Sequence, residues 1–191
     1  MQKPQNYESI KVGDFTPIAP GGHLCVIKQV KEEKSKNGLD MLVISLDTDK
    51  TDAQPNYFTE QFKNDIRPDK KWGCIMYLVV DNSTEYGPEN LKRFNTSVEE
   101  SNTGFSVKWG EDYASCFKEK KVGVVFGREQ YLNANGEVKW STKPKYFRST
   151  GKVLSAEIPK EKLLPESASN VSGTDGFMNI PDIDSDELPF N

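Results

Sequence analysis

The chain has 191 residues and a formal net charge of −4, a length that suits one domain with an additional segment rather than two full domains. The charge is unevenly distributed, because residues 166–191 carry six Asp or Glu and no Lys or Arg, which leaves a slightly basic body with 25 Lys or Arg against 23 Asp or Glu. The overall acidity therefore does not exclude a polyanionic ligand. No apolar run approaches the roughly 20 residues of a membrane helix, and the N-terminus lacks the apolar core of a signal peptide.

The first predicted element is a β-hairpin. Pro20-Gly21-Gly22 forms a turn, and residues 23–32 then alternate between two faces as a strand does. One face holds Leu24, Val26 and Val30, and the other holds Cys25, Ile27 and Gln29. Asn37-Gly38 tolerates the positive φ of a tight turn, and residues 39–47 return as the second strand.

The middle of the chain predicts a buried strand and a helix. Residues 72–80 form a continuous apolar run with the length and β-branching of a buried strand, so we expect Trp72 and Tyr77 in the core. Pro88 then opens an amphipathic helix, as proline does in a first turn. Its apolar stripe consists of Leu91, Phe94 and Val98. Residues 111–118 predict a short second helix, whereas the aromatic group at 57–62 has no clear assignment.

A second hairpin is predicted at residues 121–149, followed by a last short strand at 153–158. The loop of this hairpin, Asn133-Ala134-Asn135-Gly136, consists of residues that tolerate positive φ. Six Lys or Arg stand in this hairpin against two Glu, interleaved with aromatic rings. Such a pattern is typical of surfaces that follow phosphates and stack bases. An ordinary edge hairpin, with its rings in the core and its lysines solvated, would have the same sequence pattern.

The order of elements predicts a mainly β fold. Five strands with one capping helix between the third and the fourth are expected in an OB-fold-like barrel, whose exposed face and two hairpin loops bind oligonucleotides or oligosaccharides. Another small β-barrel or sandwich would give the same order. We expect this body to span residues 1–164, and a disordered acidic tail, too poor in apolar residues to order itself, to span 165–191.

Motifs for catalysis are missing from the sequence. There is no P-loop, no HExxH and no GxSxG, and His23 is the one histidine. We therefore predict a protein that is not an enzyme, with no catalytic residues, no metal and no cofactor. Two pairs of acids keep a metal-dependent nuclease open as a rival: Asp47 with Asp49, and Glu99 with Glu100.

The three cysteines are widely spaced and form no Cys-x-x-Cys pair. Cys25, Cys74 and Cys116 are therefore expected to be reduced, mostly buried thiols rather than zinc ligands. This use of cysteine predicts a cytoplasmic protein.

The end of the tail carries a resemblance to a known family. Its residues 182–190, DIDSDELPF, resemble the acidic tip of bacterial single-stranded DNA-binding proteins. The matching residues are Asp182, Asp184, Asp186, Glu187, Leu188, Pro189 and Phe190. Asn191 departs from the pattern, because the phenylalanine of that family is usually terminal. The body is more similar to the single-stranded DNA-binding proteins of bacteriophages, which share an OB-fold and an acidic tail.

This resemblance implies sequence-independent binding of single-stranded DNA in phage DNA replication or recombination, in the cytoplasm of the host. The tail would recruit replication or recombination proteins, and no membrane is expected as a partner; self-association into a homo-oligomer stays open. The alternative is an accessory factor of replication or recombination that binds protein and not DNA. The residues predicted to bind DNA are Lys28, Lys34, Lys36, Tyr57, Arg128, Tyr131, Lys139, Trp140, Lys143, Lys145, Tyr146, Phe147 and Arg148.

Overall fold

The structure is a computed structural model that describes residues 16–165. Its body is one antiparallel sheet of five strands in the order β3-β2-β1-β4-β5. The strands are β1 (Gly21–Lys34), β2 (Asp40–Thr48), β3 (Ile75–Val79), β4 (Lys121–Leu132) and β5 (Val138–Arg148), and the helices are α1 (Tyr57–Asn64), α2 (Gly87–Ser101) and α3 (Thr150–Val153). The predicted tail, apart from Pro165, lies outside the described residues.

The mainly β prediction and both hairpins are confirmed. Gly38 and Gly136 have φ angles of 81° and 75° in the two hairpin loops, which explains the Asn-Gly pairs found there. The sheet is open, since β3 and β5 are its edges and no backbone ladder joins them in the described part of the chain. Both edges nevertheless line one cavity of about 280 Å³, so the sheet curves until they approach each other.

A β-bulge in β1 changes which side chains face the core. The register of β1 against β2 shifts between Ile27 and Gln29, which inserts one extra residue into β1. Cys25, Ile27 and Val30 are consequently buried together, while Gln29 is exposed. The prediction that Val30 shares a face with Leu24 and Val26 is therefore wrong, because the extra residue of a bulge shifts the alternation of side chains.

The helix α2 covers the interior face of the sheet as predicted. Phe94 and Val98 are fully buried, and Leu91 is half-buried against the core. The Phe94 ring lies 4.8 Å from the Phe117 ring and 4.9 Å from the Phe147 ring, which joins α2 to β5. A single capping helix was expected, but α1 and α3 are present as well.

Two predictions at the ends of the body are wrong. The expected strand at 153–158 does not form. Residue 153 is instead the last residue of α3, which packs on β1 and β4. A Cβ on Gly22 would lie 1.9 Å from the Val153 carbonyl oxygen, so this glycine permits close packing of α3 and is not part of a turn. The predicted helix at 111–118 is two separate 3₁₀ turns, Gly110–Asp112 and Ser115–Phe117, since so short a segment nucleates an α-helix poorly.

The three cysteines are free thiols, as predicted. Cys25 and Cys74 are buried and Cys116 is half-buried. Burial, the largest cause, raises the pKa of the Cys25 and Cys74 thiols, which keeps both protonated and unreactive. Across residues 16–165, no helix has the length and apolarity needed to cross a membrane.

Candidate nucleic-acid interface

The β4–β5 hairpin extends beyond the part of the sheet that packs on the core. Pairing with β1 uses only the first half of β4, from Lys121 to Phe126. In the second half, residue 162 replaces β1 as the neighbour of β4: the Gln130 amide donates to the Lys162 carbonyl at 2.9 Å, and the Lys162 amide donates to the Arg128 carbonyl at 3.0 Å. The returning chain therefore supports the backbone of the outer half of the hairpin.

Trp140 lies on this outer half, partly exposed and paired in register with Gln130. Its side chain keeps 38% of its surface exposed. The Arg128 guanidinium carbon lies 4.5 Å from the centre of the indole ring, a cation–π contact that covers one face. Arg128 is itself held by Glu161 at 3.0 Å. The Trp140 ring is therefore held by Arg128 while part of its surface stays open to a ligand.

Three charged side chains on the same hairpin form a second feature, the Glu129 cluster, which consists of Glu129, Lys143 and Lys145. The Lys143 ammonium lies 2.9 Å from Glu129 Oε1, and the Lys145 ammonium lies 2.7 Å from Glu129 Oε2. Partial burial would raise the pKa of Glu129, but the contacts with Lys145 and Lys143 outweigh it and hold this pKa below its ordinary value. The cluster carries a net charge of about +1 at neutral pH.

Tyr77 lies across the cavity from this cluster, a position that the sequence did not indicate. The residue was expected in the core, but its side chain is 61% exposed. The reason is that β3 is an edge strand with only one covered face: Met76 and Leu78 are buried, and Tyr77 points the other way. Tyr77, Lys143 and Lys145 all line the cavity of about 280 Å³ between β3 and β5.

The outer face of the sheet continues from Tyr77 towards β1. Tyr77 pairs with Val43, and Val43 pairs with Lys31, so the three side chains form one row across β3, β2 and β1 on the same face. Lys31 is exposed and Val43 is half-buried. This row places an aromatic ring, an aliphatic side chain and a cation on a continuous strip beside the Glu129 cluster.

The remaining predicted residues of the second hairpin divide by burial. Tyr131 is 43% exposed and lies opposite Lys139, which pairs with Glu137 at 3.2 Å. Tyr146 is half-buried and donates its hydroxyl hydrogen to the Glu157 carbonyl at 3.0 Å, and the Arg148 guanidinium lies 5.4 Å from its ring centre.

Two aromatic side chains predicted to stack on bases pack within the fold instead. Phe147 is 2% exposed and packs against Phe94, so its prediction as a DNA-binding residue is wrong. The register explains this, since Phe147 pairs with the fully buried Val124. Tyr57 is half-buried, with its ring 4.9 Å from that of Phe58. By contrast, Trp72 packs against the core as expected.

The cations of the first hairpin are spread out rather than gathered. Lys28 pairs with Glu119 at 3.2 Å, and Lys34 pairs with Asp40 at 2.5 Å. Lys36 is exposed in the hairpin loop. The structure therefore forms two groups on the second hairpin, Arg128 with Trp140 on one face and Lys143 and Lys145 with Glu129 on the other. It adds none of the three lysines of the first hairpin to either group.

An acidic cavity of about 560 Å³, here called the Trp109 cavity, lies beside the first hairpin. Trp109 is 69% exposed and stacks on the buried Tyr113, with ring centres 5.3 Å apart. The charged side chains that line the cavity are all acidic: Glu32, Glu33, Asp40 and Glu111. Repulsion of phosphates makes this surface a poor site for a nucleic acid.

The acids of the nuclease alternative have structural partners. Asp47 Oδ1 accepts the Phe58 amide at 2.9 Å at the start of α1, and Asp49 accepts from Thr51 and pairs with Lys121 at 3.2 Å. Burial would raise the pKa of Asp49, but these contacts outweigh it and lower that pKa. Within the described residues, no group of three or more His, Cys, Asp or Glu could hold a metal ion.

Comparison with known proteins adds no family to this description: neither a protein-family model nor a curated protein matches the chain.

Proposed function

We propose that the protein binds single-stranded DNA without sequence preference and does not cleave it. The observation that carries this proposal is the β3–β5 cavity, where the exposed Tyr77 ring lies across from Lys143 and Lys145. A second exposed ring, Trp140, lies farther along the same hairpin on its opposite face. Ammonium groups neutralise phosphates, and exposed rings stack bases.

Single strands suit this surface better than duplex DNA. Stacking on Trp140 or Tyr77 requires a base whose face is free, and the faces of bases in a duplex are covered by their neighbours. Every base has such a face, so stacking tolerates any sequence. The contacts in this region are rings and ammonium groups, which favour neither a particular base edge nor a particular groove.

We further propose that the body is an OB-type fold. Support comes from the connectivity: β1 pairs with both β2 and β4, α2 stands between β3 and β4, and the two edge strands approach each other across the cavity. The outer row of Lys31, Val43 and Tyr77 would then lie on the β2–β3 face, which is the ligand-binding face of such folds.

The biological setting follows from the resemblance of the tail and extends the proposal. The protein would protect or organise single strands during phage DNA replication or recombination in the host cytoplasm. Residues 182–190 would recruit replication or recombination proteins, as the related acidic tips do. Catalysis, metals and cofactors have no part in this proposal.

A second candidate function is that of an accessory factor that binds protein and not DNA. The Trp109 cavity favours it, because an exposed indole beside Glu32, Glu33 and Glu111 could receive a basic segment of a partner. This cavity lies beside the first hairpin, apart from the Glu129 cluster, so both functions could coexist on one body.

Fluorescence anisotropy of a labelled oligo(dT) in EDTA tests the proposal and separates the candidates. We expect a rise in anisotropy at micromolar protein or below, and a much weaker response for the corresponding duplex. No rise with any single strand would contradict the proposal and favour the accessory factor. Repeating the titration with Mg²⁺ and analysing the DNA on a gel detects cleavage, which would favour the nuclease.

A further inference from the structure

We infer that Glu129 occupies, in the free protein, the position that a backbone phosphate of the DNA takes in the complex. The carboxylate of Glu129 would thus be an internal competitor that sets the affinity of the Lys143–Lys145 pair. This inference rests on the proposed function, since it concerns how the same surface binds phosphate.

The first argument is geometric. Each oxygen of the Glu129 carboxylate meets a different ammonium group, Oε1 with Lys143 at 2.9 Å and Oε2 with Lys145 at 2.7 Å. A phosphodiester likewise presents two anionic oxygens, so it can bridge the same two ammonium groups. The two ammonium groups are therefore already spaced to contact the two oxygens of one anionic group.

The second argument is that this ion pair differs from the others on the hairpin. The side chains of Glu129 and Lys145 are 21% and 16% exposed, whereas those of Glu137 and Lys139 are 58% and 51% exposed. Exposed pairs are screened by water and contribute little, but a half-buried pair is screened less. Glu129 therefore neutralises Lys145 effectively, whereas its pair with the 58% exposed Lys143 is screened more, and the pair of Glu137 is screened most.

The third argument is the location of the cluster. Glu129, Lys143 and Lys145 line the same cavity as Tyr77. Trp140, next to Ser141, the register partner of Glu129, faces the opposite side of the hairpin. A strand that stacks a base on Tyr77 must bring its phosphates past this carboxylate. DNA must then displace Glu129 from the lysines, or leave an anion facing a phosphate.

A purely structural role for Glu129 predicts the opposite behaviour. If the carboxylate mainly holds Lys143 and Lys145 in a productive position, its removal loosens both side chains and weakens binding. If the carboxylate competes with phosphate, its removal strengthens binding. The sign of the change in affinity therefore decides between the two roles.

The experiment compares the full chain with Glu129→Gln and with the matched control Glu137→Gln, using anisotropy of labelled oligo(dT). We expect Glu129→Gln to bind roughly three- to tenfold more tightly at low salt, because it loses a partly desolvated competing charge. The slope of log affinity against log salt should steepen by about 0.7 for each additional phosphate that the lysines neutralise. Glu137→Gln should change affinity by less than about twofold, since its ion pair is exposed.

Unchanged or weaker binding by Glu129→Gln, in a variant that melts like the parent chain, overturns the inference while the proposed function stands. Absence of binding by every variant, including the parent, overturns both. Glu129→Ser serves as a second variant if glutamine disturbs folding, because it too leaves both lysines without a carboxylate. It must show the same gain in affinity.

Discussion

Trp140 and Trp109 are both large, exposed aromatic residues on this protein, yet their surroundings are opposite in charge. Trp140 has a guanidinium over its ring, and the Glu129 cluster lies on the other face of the same hairpin. Trp109 lies in a cavity whose charged residues are Glu32, Glu33, Asp40 and Glu111. Trp109 is also the more exposed of the two, at 69% against 38%.

The difference shows that exposure alone does not identify a nucleic-acid site. A base that stacks on a ring carries its phosphate with it, so the ring is useful only where the surrounding charge accepts an anion. By that criterion Trp140 is the stronger candidate for a nucleotide, whereas Trp109 suits a cationic ligand. The two tryptophans therefore form a matched pair within one chain.

The largest expected effect is that of salt. If about four phosphates are neutralised at the second hairpin, affinity for a single strand should fall several-hundredfold over a tenfold rise in salt, at roughly 0.7 log units per phosphate. Anisotropy titrations at several KCl concentrations measure the slope. Glu111→Gln in the Trp109 cavity should leave that slope nearly unchanged. An affinity that is the same at low and moderate salt would contradict the electrostatic basis of the interface.

Replacing each tryptophan tests the difference between the two sites directly. Trp140→Ala should weaken binding by roughly 1 to 3 kcal/mol, the contribution of one stacked base, whereas Trp109→Ala should have no effect. Lys139→Ala should cost less than Trp140→Ala, because Lys139 is an exposed, screened cation. Circular dichroism must first show that each variant is folded. A folded Trp140→Ala protein with the affinity of the parent would refute the role of this ring.

Tyr77 tests whether the interface extends from the hairpin to β3. Tyr77→Ala should weaken binding by about 1 kcal/mol, near the lower limit for a stacked base. Tyr77→Phe should bind normally, since it keeps the ring and loses only the hydroxyl. Titration of both variants with the same oligo(dT) measures the difference. Equal loss in the two variants would point to the hydroxyl and exclude simple stacking.

Much of the fold follows from local pattern. Asn-Gly turns and apolar alternation locate both hairpins, and the stripe of Phe94 and Val98 locates α2, because these signals depend on residues close together in the chain. The bulge between Ile27 and Gln29 has no such local signal, and it reverses the faces of β1. The approach of α3 to Gly22 depends on a contact between residues that are distant in the chain. The sequence pattern therefore predicted a turn at this glycine instead.

The sequence indicated which segment would be rich in cations and rings, but not which of its side chains would be exposed. The density of Lys and Arg between 121 and 149 pointed to the hairpin on which the candidate site is proposed, since charge is read from sequence without knowing the fold. Whether a ring faces the core or the solvent depends on strand register and on which strands are edges. For that reason Phe147 was wrongly assigned to the interface, and Tyr77 was wrongly assigned to the core.

The acidic tail provides the smallest expected effect on DNA binding, and the structure indicates where it is attached. The Leu164 amide donates to the Gln130 side chain at 3.2 Å, and Gln130 is the register partner of Trp140. Leu164, two residues before the segment 166–191 with its six acids, therefore lies beside the cationic hairpin. A tethered anion reaches an effective concentration in the millimolar range, so it can compete with DNA at low salt.

Removal of residues 166–191 should tighten DNA binding by roughly two- to fivefold at low salt, with the gain shrinking as salt screens the competition. Removal of only Leu188, Pro189, Phe190 and Asn191 separates competition from recruitment, because it keeps all six acids and deletes the apolar tip. This shorter deletion should bind DNA like the full chain but fail to retain replication or recombination proteins from a cell extract. Equal retention by the full chain and the shorter deletion would contradict recruitment through the tip. Tighter DNA binding by the shorter deletion would show that the apolar tip, and not only the acids, contacts the cationic hairpin.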